Sequence, residues 1–310
     1  MTGPEPGARS QEPPVHGIHL VHKRVGESSF DVVRRFKRAA FEGGEKKQAL
    51  GHGGTLDPFA TGLLLVMAGQ ATRLMELMHP LPKTYAATVA WGSETDTCDH
   101  MGIEIFKGDA SGLTPERLDT ALQPFMGWHD QIPPATSAKK IDGEAAYKKA
   151  HRGEEVVMKP SRVFLHQARW ISHDLPKQSI LEITCRGGFY VRSLARELGS
   201  LLGCGAHLTT LHRSAIGPWM DPGEGQEQTL AGEALIPWCS TRRLDDAEYE
   251  HLKHGRAIPM GGFEAPAWPL PEGFPDPAAP IRALHEGRLV ALMKVEGDQL
   301  RTFANLRGGL

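Results

Sequence analysis

The sequence predicts an α+β fold, in which strands and helices are interspersed without a regular strand–helix–strand alternation. Residues Thr84 to Trp91 alternate, with one apolar face, as a half-buried strand does. Residues Ile180 to Cys185 form a second strand-like run. Apolar residues recur at helical spacing from Val191 to Leu202, and Gly203 supplies a stop signal. We therefore expect a sheet flanked by helices rather than a doubly wound parallel sheet.

Composition places the chain among ordinary globular proteins. It has 310 residues, of which 40% are hydrophobic and 23% are charged, enough for one large and one small domain. The longest strongly apolar run, Leu63 to Ala68, is far shorter than the roughly 20 residues that span a bilayer. The N-terminus lacks the apolar core of a signal peptide. Because the four cysteines lie far apart, we expect neither disulfides nor a cysteine zinc site, and a cytoplasmic location.

Proline marks the divisions of the chain. Residues 1–14 are rich in proline and glycine, which predicts a disordered tail. Seven prolines within residues 259–280 are too dense for a helix or a central strand, so we expect a linker or a long surface loop there. We predict a large domain over 15–232 and a small C-terminal domain over 233–310. Residues 288–306 of the small domain have a strand-like pattern.

The net charge hides an uneven distribution. The chain carries 35 Lys and Arg against 37 Asp and Glu, a net charge of −2, which is no global signature of nucleic-acid binding. Lys23 to Lys47 and Lys139 to Arg169 each carry eight basic residues against four acidic ones, whereas Asp221 to Glu250 carries two against eight. Charged segments of this kind more often form solvated helix faces than binding surfaces.

The most unusual motif is Gly51-His52-Gly53-Gly54-Thr55-Leu56-Asp57-Pro58. Its glycines permit close approach of the backbone, and Pro58 biases Asp57 towards an extended conformation. We interpret it as a stiff loop that presents a single carboxylate before a buried strand. A glycine-rich turn with Asp57 as a hydrogen-bonding turn residue is the alternative. A phosphate-binding P-loop is excluded, because the terminal Gly-Lys-Ser/Thr is missing.

Two further segments carry polar side chains beside predicted elements. Tyr85 lies in the first predicted strand and suits either stacking on a base or a place in the core. The following turn, Gly92 to Asp99, holds three acidic residues, but their spacing matches no calcium loop. Glycines precede the predicted helix, where Arg192 and Arg196 lie one turn apart. An arginine there would favour the ionised form of a nearby carboxylate, although an ordinary surface face is also possible.

Together these segments resemble the TruB family of pseudouridine synthases. The match continues through Gln131-Ile132-Pro133-Pro134, Ser137-Ala138, Lys140 and Gly143, and covers about two hundred residues in order. The resemblance implies the pseudouridine-synthase fold, a mixed and largely antiparallel sheet flanked by helices, here with a small C-terminal PUA-like module. It also implies isomerisation of uridine to pseudouridine in the T loop of tRNA.

The resemblance assigns roles by position. It makes Asp57 the essential aspartate, Tyr85 the residue stacked on the target uracil, and Arg192 the partner of the aspartate. It makes His52 the residue that fills the place of the flipped nucleotide. Further positions matched to the cleft or to RNA binding are Lys23, Lys83, Tyr190 and Lys140.

Some positions depart from the family pattern. Arg24 follows Lys23 where the family has proline, Thr136 replaces a common tyrosine, and Gly187 and Phe189 replace a lysine and a threonine. Asp57, Tyr85 and Arg192 are all retained. The departures therefore concern RNA contacts rather than the reaction.

The implied reaction needs neither a redox cofactor nor a metal, so we expect none. We expect a monomer whose partner is the tRNA T stem-loop, with the basic segments at its phosphates. Four alternatives remain open: a non-catalytic tRNA-binding or folding module, a synthase of the same family acting on another RNA, a guide-RNA-dependent relative, and a glycoside hydrolase. The last usually uses two carboxylates and no arginine partner.

Overall fold

The computed structural model describes residues 16–44, 48–137, 139–141, 143–146, 149, 152, 154 and 156–310. The predicted tail over 1–14 lies outside these residues, as do parts of both basic segments. The strands are β1 (Gly17–Lys23), β2 (Leu50–His52), β3 (Thr61–Ala68), β4 (Lys83–Trp91), β5 (Ser93–Thr95), β6 (Glu104–Lys107), β7 (Gly127–Gln131), β8 (Lys140–Ile141), β9 (Glu144–Ala145), β10 (Ser161–Asp174), β11 (Gln178–Cys185), β12 (Ala206–Ile216), β13 (Trp219–Met220), β14 (Glu227–Leu230), β15 (Thr241–Arg243), β16 (Ile258–Pro259), β17 (Ile281–His285), β18 (Arg288–Glu296) and β19 (Gln299–Asn305). The α-helices are α1 (Ser29–Glu42), α2 (Met75–Met78), α3 (Pro115–Leu122), α4 (Val191–Leu202) and α5 (Asp246–Lys253), and short 3₁₀ helices span Gly69–Leu74, Gln123–Phe125 and Gly232–Ala234.

One large sheet organises the first three quarters of the chain. Its strands follow the order β14-β1-β3-β12-β4-β11-β10-β7, with β2 added to β3 and β13 to β12. The pairing of β12 with β3 is parallel, and every other pairing in this sheet is antiparallel. The predicted fold class, a mixed and largely antiparallel sheet with helices, is confirmed.

Local sequence signals account for one boundary of α1 and one of α4. Ser28 and Asp31 form a capping box that begins α1, each side chain accepting a hydrogen bond from the other's backbone. Helix α4 ends at Gly203, whose φ of 75° lies in the left-handed region that glycine tolerates. The predicted strands over 84–91 and 180–185 are confirmed as β4 and β11.

The faces of the large sheet pack against different parts of the chain. On one face, residues of β4 and β11 form a core with α3 and α4. Helix α1 packs on β1 and β3 through Val32 and Phe36, against Val21, Leu64 and Val66. Because side chains alternate along a strand, Ile18, Leu20 and Leu63 point to the other face. That face of β1 and β3 packs against C-terminal residues.

The C-terminal part forms a second sheet of five strands, in the order β15-β17-β18-β19-β16. Leu235, Trp238 and Leu284 of this part share one hydrophobic cluster with Leu20 and Leu65 of the large sheet. The proline-rich segment also contacts the large sheet, because Phe274 is buried and its ring lies 5.7 Å from that of Phe164 in β10. The segment over 259–280 therefore packs on the large sheet at Phe274, as a surface loop does.

The four cysteines are free thiols in the interior of the protein. None of the helices in the described part of the chain has the length and apolarity needed to cross a bilayer.

Candidate active site

Asp57 lies in the loop between β2 and β3, and hydrogen bonds fix that loop on both sides of it. Before Asp57, the Leu56 N–H donates to the Ser29 hydroxyl at 2.8 Å, and this hydroxyl lies 3.1 Å from the Leu56 carbonyl. After it, the Pro58 carbonyl accepts from the Gly26 N–H at 2.7 Å and from Lys23 Nζ at 3.3 Å. The stiff loop inferred from glycine and proline is therefore also tied to α1 and to the end of β1.

Arg192 pairs with Asp57 in a two-point geometry. Its Nε lies 2.8 Å from Asp57 Oδ2, and its Nη2 donates to Oδ1 at 2.9 Å. Arg192 sits in the first turn of α4 with its side chain 5% exposed, whereas the side chain of Asp57 is 29% exposed. Bidentate arginine–carboxylate pairs are strong and fix orientation. The carboxylate is thus held rigidly by a buried partner while remaining open to the cleft.

The third nitrogen of the same guanidinium binds a second set of acceptors. Arg192 Nη1 donates to the Thr97 carbonyl at 3.0 Å, to Asp99 Oδ2 at 3.2 Å and to the Thr136 hydroxyl at 2.8 Å. Asp99 also accepts from the Thr97 hydroxyl at 2.8 Å and from the Met101 N–H at 3.0 Å. The threonine at the family's tyrosine position therefore contacts the guanidinium directly.

Sequence reasoning did not single out Asp99. It lies in the turn whose three acids raised a metal as one possibility, yet among the described residues no group of three or more candidate ligands is placed to hold a metal ion. The available sequence signal was the acidic turn itself, which did not distinguish Asp99 from Glu94 and Asp96. Asp99 extends the predicted pair to a carboxylate–arginine–carboxylate arrangement.

Tyr85 lies on β4 beside a buried arginine that the sequence did not reveal. The residue is 8% exposed, and burial raises the pKa of its phenol. The Cζ atom of Arg213, in the neighbouring strand β12, lies 6.0 Å from the centre of the tyrosine ring. Arg213 is fully buried and donates to the carbonyls of Leu63 at 2.7 Å, Gly54 at 3.2 Å and Thr55 at 3.3 Å.

Gly62 of β3 lets the backbone of β12 approach closely at Arg213. A Cβ atom at Gly62 would lie 2.3 Å from the Arg213 carbonyl oxygen, and the φ of Gly62 is 104°. Only glycine meets both conditions. This glycine was the available sequence signal for a close approach, although it did not identify the residue on the other strand.

Lys23 and Lys83 are buried and donate to backbone carbonyls. Lys23 Nζ reaches Arg24 O at 2.9 Å and Glu27 O at 2.7 Å, besides Pro58 O, and burial lowers its pKa to about 8. Lys83 Nζ donates to the carbonyls of Met78, His79 and Leu81 at 3.0–3.1 Å. Burial and then the charge of Arg213 lower the pKa of Lys83 to about 7. Both side chains hold loops at the cleft.

The remaining predicted residues differ in how much the structure says of them. His52 is half-buried in β2, its Nδ1 has no partner among the described residues, and burial lowers its pKa. Tyr190 precedes α4, its N–H donates to Gln131 Oε1 at 2.8 Å, and burial raises the pKa of its phenol. Lys140 lies in β8, but its side chain is outside the described part of the chain.

A cleft of about 430 Å³ brings these groups together. Asp57, Tyr85, Arg192 and His52 line it, as do Lys83 and Tyr190. Lys23 is tied to the cleft loop but does not line the cleft. Lys139, the first residue of the second basic segment, also lines the cleft, as do His79 and Arg186, to which sequence reasoning assigned no role. The arrangement presents one arginine-bound carboxylate beside an aromatic ring in a space of small-molecule size.

The chain is similar in sequence to a family model and to a group of named proteins. A model described as TruB family pseudouridylate synthase (N terminal domain) matches residues 42–191. The protein named tRNA pseudouridine synthase B from Thermobifida fusca is 34% identical over 287 residues, covering 88% of this chain and 94% of its own length. The protein of the same name from Mycobacterium tuberculosis is 33% identical, with 94% and 96% covered.

Solved structures share the fold. A chain from the crystal structure of a Cbf5-Nop10-Gar1 complex has a TM-score of 0.65 and 20% identity, covering 94% of this chain and 85% of its own. A chain from the structure of an H/ACA RNP bound to a substrate RNA containing 2'-deoxyuridine has a TM-score of 0.64 and 18% identity, with 94% and 84% covered. At these identities the likeness concerns the fold.

Proposed function

The chain belongs to the TruB family of pseudouridylate synthases, and from this premise we propose that it isomerises a uridine in the T loop of tRNA with Asp57 as the essential carboxylate. The name shared by its curated relatives supports an isomerase that acts on tRNA. The choice of uridine and the roles of individual residues belong to our proposal, which the geometry of the cleft supports.

The reaction rearranges bonds without oxidation or reduction. The bond from C1′ of the ribose to N1 of uracil breaks, the base rotates, and a bond from C1′ to C5 forms. C5 then loses its proton and N1 gains one, so atoms and electrons balance. A carboxylate serves either by attacking covalently or by removing a ribose proton to give a glycal intermediate. Both routes require one ionised carboxylate at the sugar, and we assign that role to Asp57.

The single observation that carries the proposal is the bidentate contact of Arg192 with a partly exposed Asp57. Arg192 holds the carboxylate without covering it, so one face stays open to the cleft that Tyr85 also lines. A uracil stacked on Tyr85 would bring its glycosidic bond into this space. Asp99 also binds Arg192 and two local donors, which suits a supporting carboxylate rather than the second working acid of a glycoside hydrolase.

A uridine inside a folded loop must leave its stack to reach Asp57. His52 borders the cleft and, with its pKa lowered by burial, favours the neutral form. We propose that the His52 side chain fills the space that the flipped nucleotide leaves in the RNA. We further propose that the enzyme works as a monomer in the cytoplasm, which light scattering and fractionation test.

The decisive experiment is to incubate the purified protein with unmodified tRNA transcript and to map pseudouridine by carbodiimide treatment and primer extension. We expect one stop in the T loop with the wild-type protein and none with Asp57→Asn. A stop elsewhere would overturn the T-loop assignment while keeping the reaction. RNA binding without any product would instead favour a non-catalytic module.

A further inference from the structure

Among the described residues, three arginines line the cleft, and they differ in how many of their N–H donors have acceptors. Arg192 donates to Asp57, Asp99, Thr97 and Thr136, and Arg213 donates to three carbonyls. Arg186 also lines the cleft, but its guanidinium makes no hydrogen bond or ion pair with any residue that the structure describes, and its Nε is buried without a partner. A buried guanidinium N–H without an acceptor is unfavourable, so an acceptor from outside the chain would stabilise this group.

The backbone fixes the place from which Arg186 enters the cleft. Its N–H donates to the Phe164 carbonyl at 3.0 Å, and its carbonyl accepts from the Phe189 N–H at 3.3 Å. At Gly187, a Cβ atom would lie 1.8 Å from the His79 carbonyl oxygen, so no side chain fits there without moving the backbone. A positive charge at this turn can therefore be carried by residue 186 but not by residue 187.

The surroundings of Arg186 are aromatic and positively charged. Its Cζ atom lies 5.9 Å from the ring centre of Trp128, which is 44% exposed and packs on Phe164 at 5.2 Å. Burial is the main cause that lowers the pKa values of Lys83 and His79, and the nearby charge of Arg186 lowers both further. Glu76 lines the same cleft, yet it forms no ion pair with Arg186 in the described structure. The charge of this guanidinium is thus not neutralised locally.

We propose that Arg186 binds a backbone phosphate of the substrate RNA beside the flipped nucleotide. A phosphate supplies the missing acceptors and the missing negative charge, and an arginine binds it with paired donors. Its position in the same cleft as Asp57 and Tyr85 assigns the phosphate to the nucleotide being modified or to its neighbour. The inference rests on the proposed function for the identity of the RNA.

The test measures binding of a tRNA T stem-loop as a function of KCl concentration. Removing one phosphate contact should lower the magnitude of the slope of log Kd against log salt by about 0.7–0.9. We expect Arg186→Gln to show this change and about tenfold weaker binding. Arg186→Lys should keep most of the slope. Arg117→Gln is the matched control, because Arg117 is exposed at the start of α3, outside the cleft and outside both basic segments.

A second arm uses RNA in which single phosphates are replaced by neutral methylphosphonates. One replacement should weaken binding by wild-type protein and by Arg186→Lys, yet have no further effect on Arg186→Gln. This arm keeps the proposal testable with wild type and Arg186→Lys if the glutamine variant fails to fold. An unchanged slope in Arg186→Gln, the same loss in Arg117→Gln, or fully additive methylphosphonate effects would overturn it.

The outcomes separate this inference from the proposed function. Salt-dependent binding through Arg186 without formation of pseudouridine would retain the phosphate site and overturn the reaction. Pseudouridine formation with no contribution of Arg186 to binding would do the reverse. Absence of any RNA binding by the wild-type protein would overturn both.

Discussion

The buried cations in or beside the cleft bind two kinds of partner. Arg192, at the start of α4, contacts the carboxylates of Asp57 and Asp99. Lys23, Lys83 and Arg213, on strands of the sheet, donate to backbone carbonyls. The helix side therefore places charge in the cleft, whereas the sheet side fixes the shape of its loops. Changes on the helix side should affect turnover, and changes on the sheet side should affect stability.

Asp57→Asn should have the largest effect. Asparagine retains the size of aspartate and one oxygen for Arg192, but it lacks the charge, so turnover should fall by at least about a thousandfold. Stability and RNA affinity should stay close to those of the wild type. Single-turnover assays of pseudouridine formation measure the loss, with Asp130→Asn as an exposed control. Turnover retained in Asp57→Asn would refute the role of this residue.

Arg213→Met should test the sheet side. The change leaves three carbonyls without a buried donor, so we expect a loss of about 3 kcal/mol in the free energy of unfolding. Urea denaturation measures it. Arg162→Met, at an exposed ion pair, should lie within about 0.5 kcal/mol of the wild type. A stable Arg213→Met protein would contradict a structural role for the carbonyl-bound cation.

Asp99→Asn should separate positioning from chemistry on the helix side. The variant keeps an acceptor near Arg192 but removes the second charge, so the guanidinium should hold Asp57 less firmly and turnover should fall about tenfold. RNA affinity should not change. Asp96→Asn is a control in the same turn, because Asp96 accepts from the Ile103 N–H and not from Arg192. Equal losses in both variants would point to the turn as a whole.

Lys83→Met removes a donor from three carbonyls, as Arg213→Met does, and should in addition change the pH dependence of stability. The folded pKa of Lys83 is lowered from 10.5 to about 7, so between these values the unfolded chain binds more protons than the folded one. Wild-type stability should therefore rise with pH above about 7, by at most about 1.4 kcal/mol per pH unit from this group. The methionine variant should lack this increment in urea titrations. Parallel pH curves for the two proteins would contradict it.

The sequence predicted best where a local pattern decides the structure. Alternation over β4 and the stop at Gly203 each depend on a few neighbouring residues, and both predictions are confirmed. The structure also brings Asp57, Tyr85 and Arg192 to one cleft. Their roles in the reaction remain predictions.

The residues that sequence reasoning missed depend on contacts between distant segments. Arg213 donates to the carbonyls of Gly54 and Leu63, which are about 150 residues away in the chain. Asp99 accepts from Arg192, but the sequence does not distinguish it from the other two acidic residues of its turn. Proline density correctly indicated irregular backbone over 259–280, but the packing of Phe274 on Phe164 depends on an aromatic pair far apart in the chain. Short-range spacing carries no information about such pairs.

The hydrophobic cluster shared by the two sheets has a consequence for cooperativity. Since Leu235, Trp238 and Leu284 cover the apolar face formed by Leu20 and Leu65, neither sheet can melt without exposing the other to water. Heating should therefore produce a single calorimetric transition with equal van't Hoff and calorimetric enthalpies. A chain shortened after residue 232 would carry a bare apolar face on β1 and β3 and should aggregate.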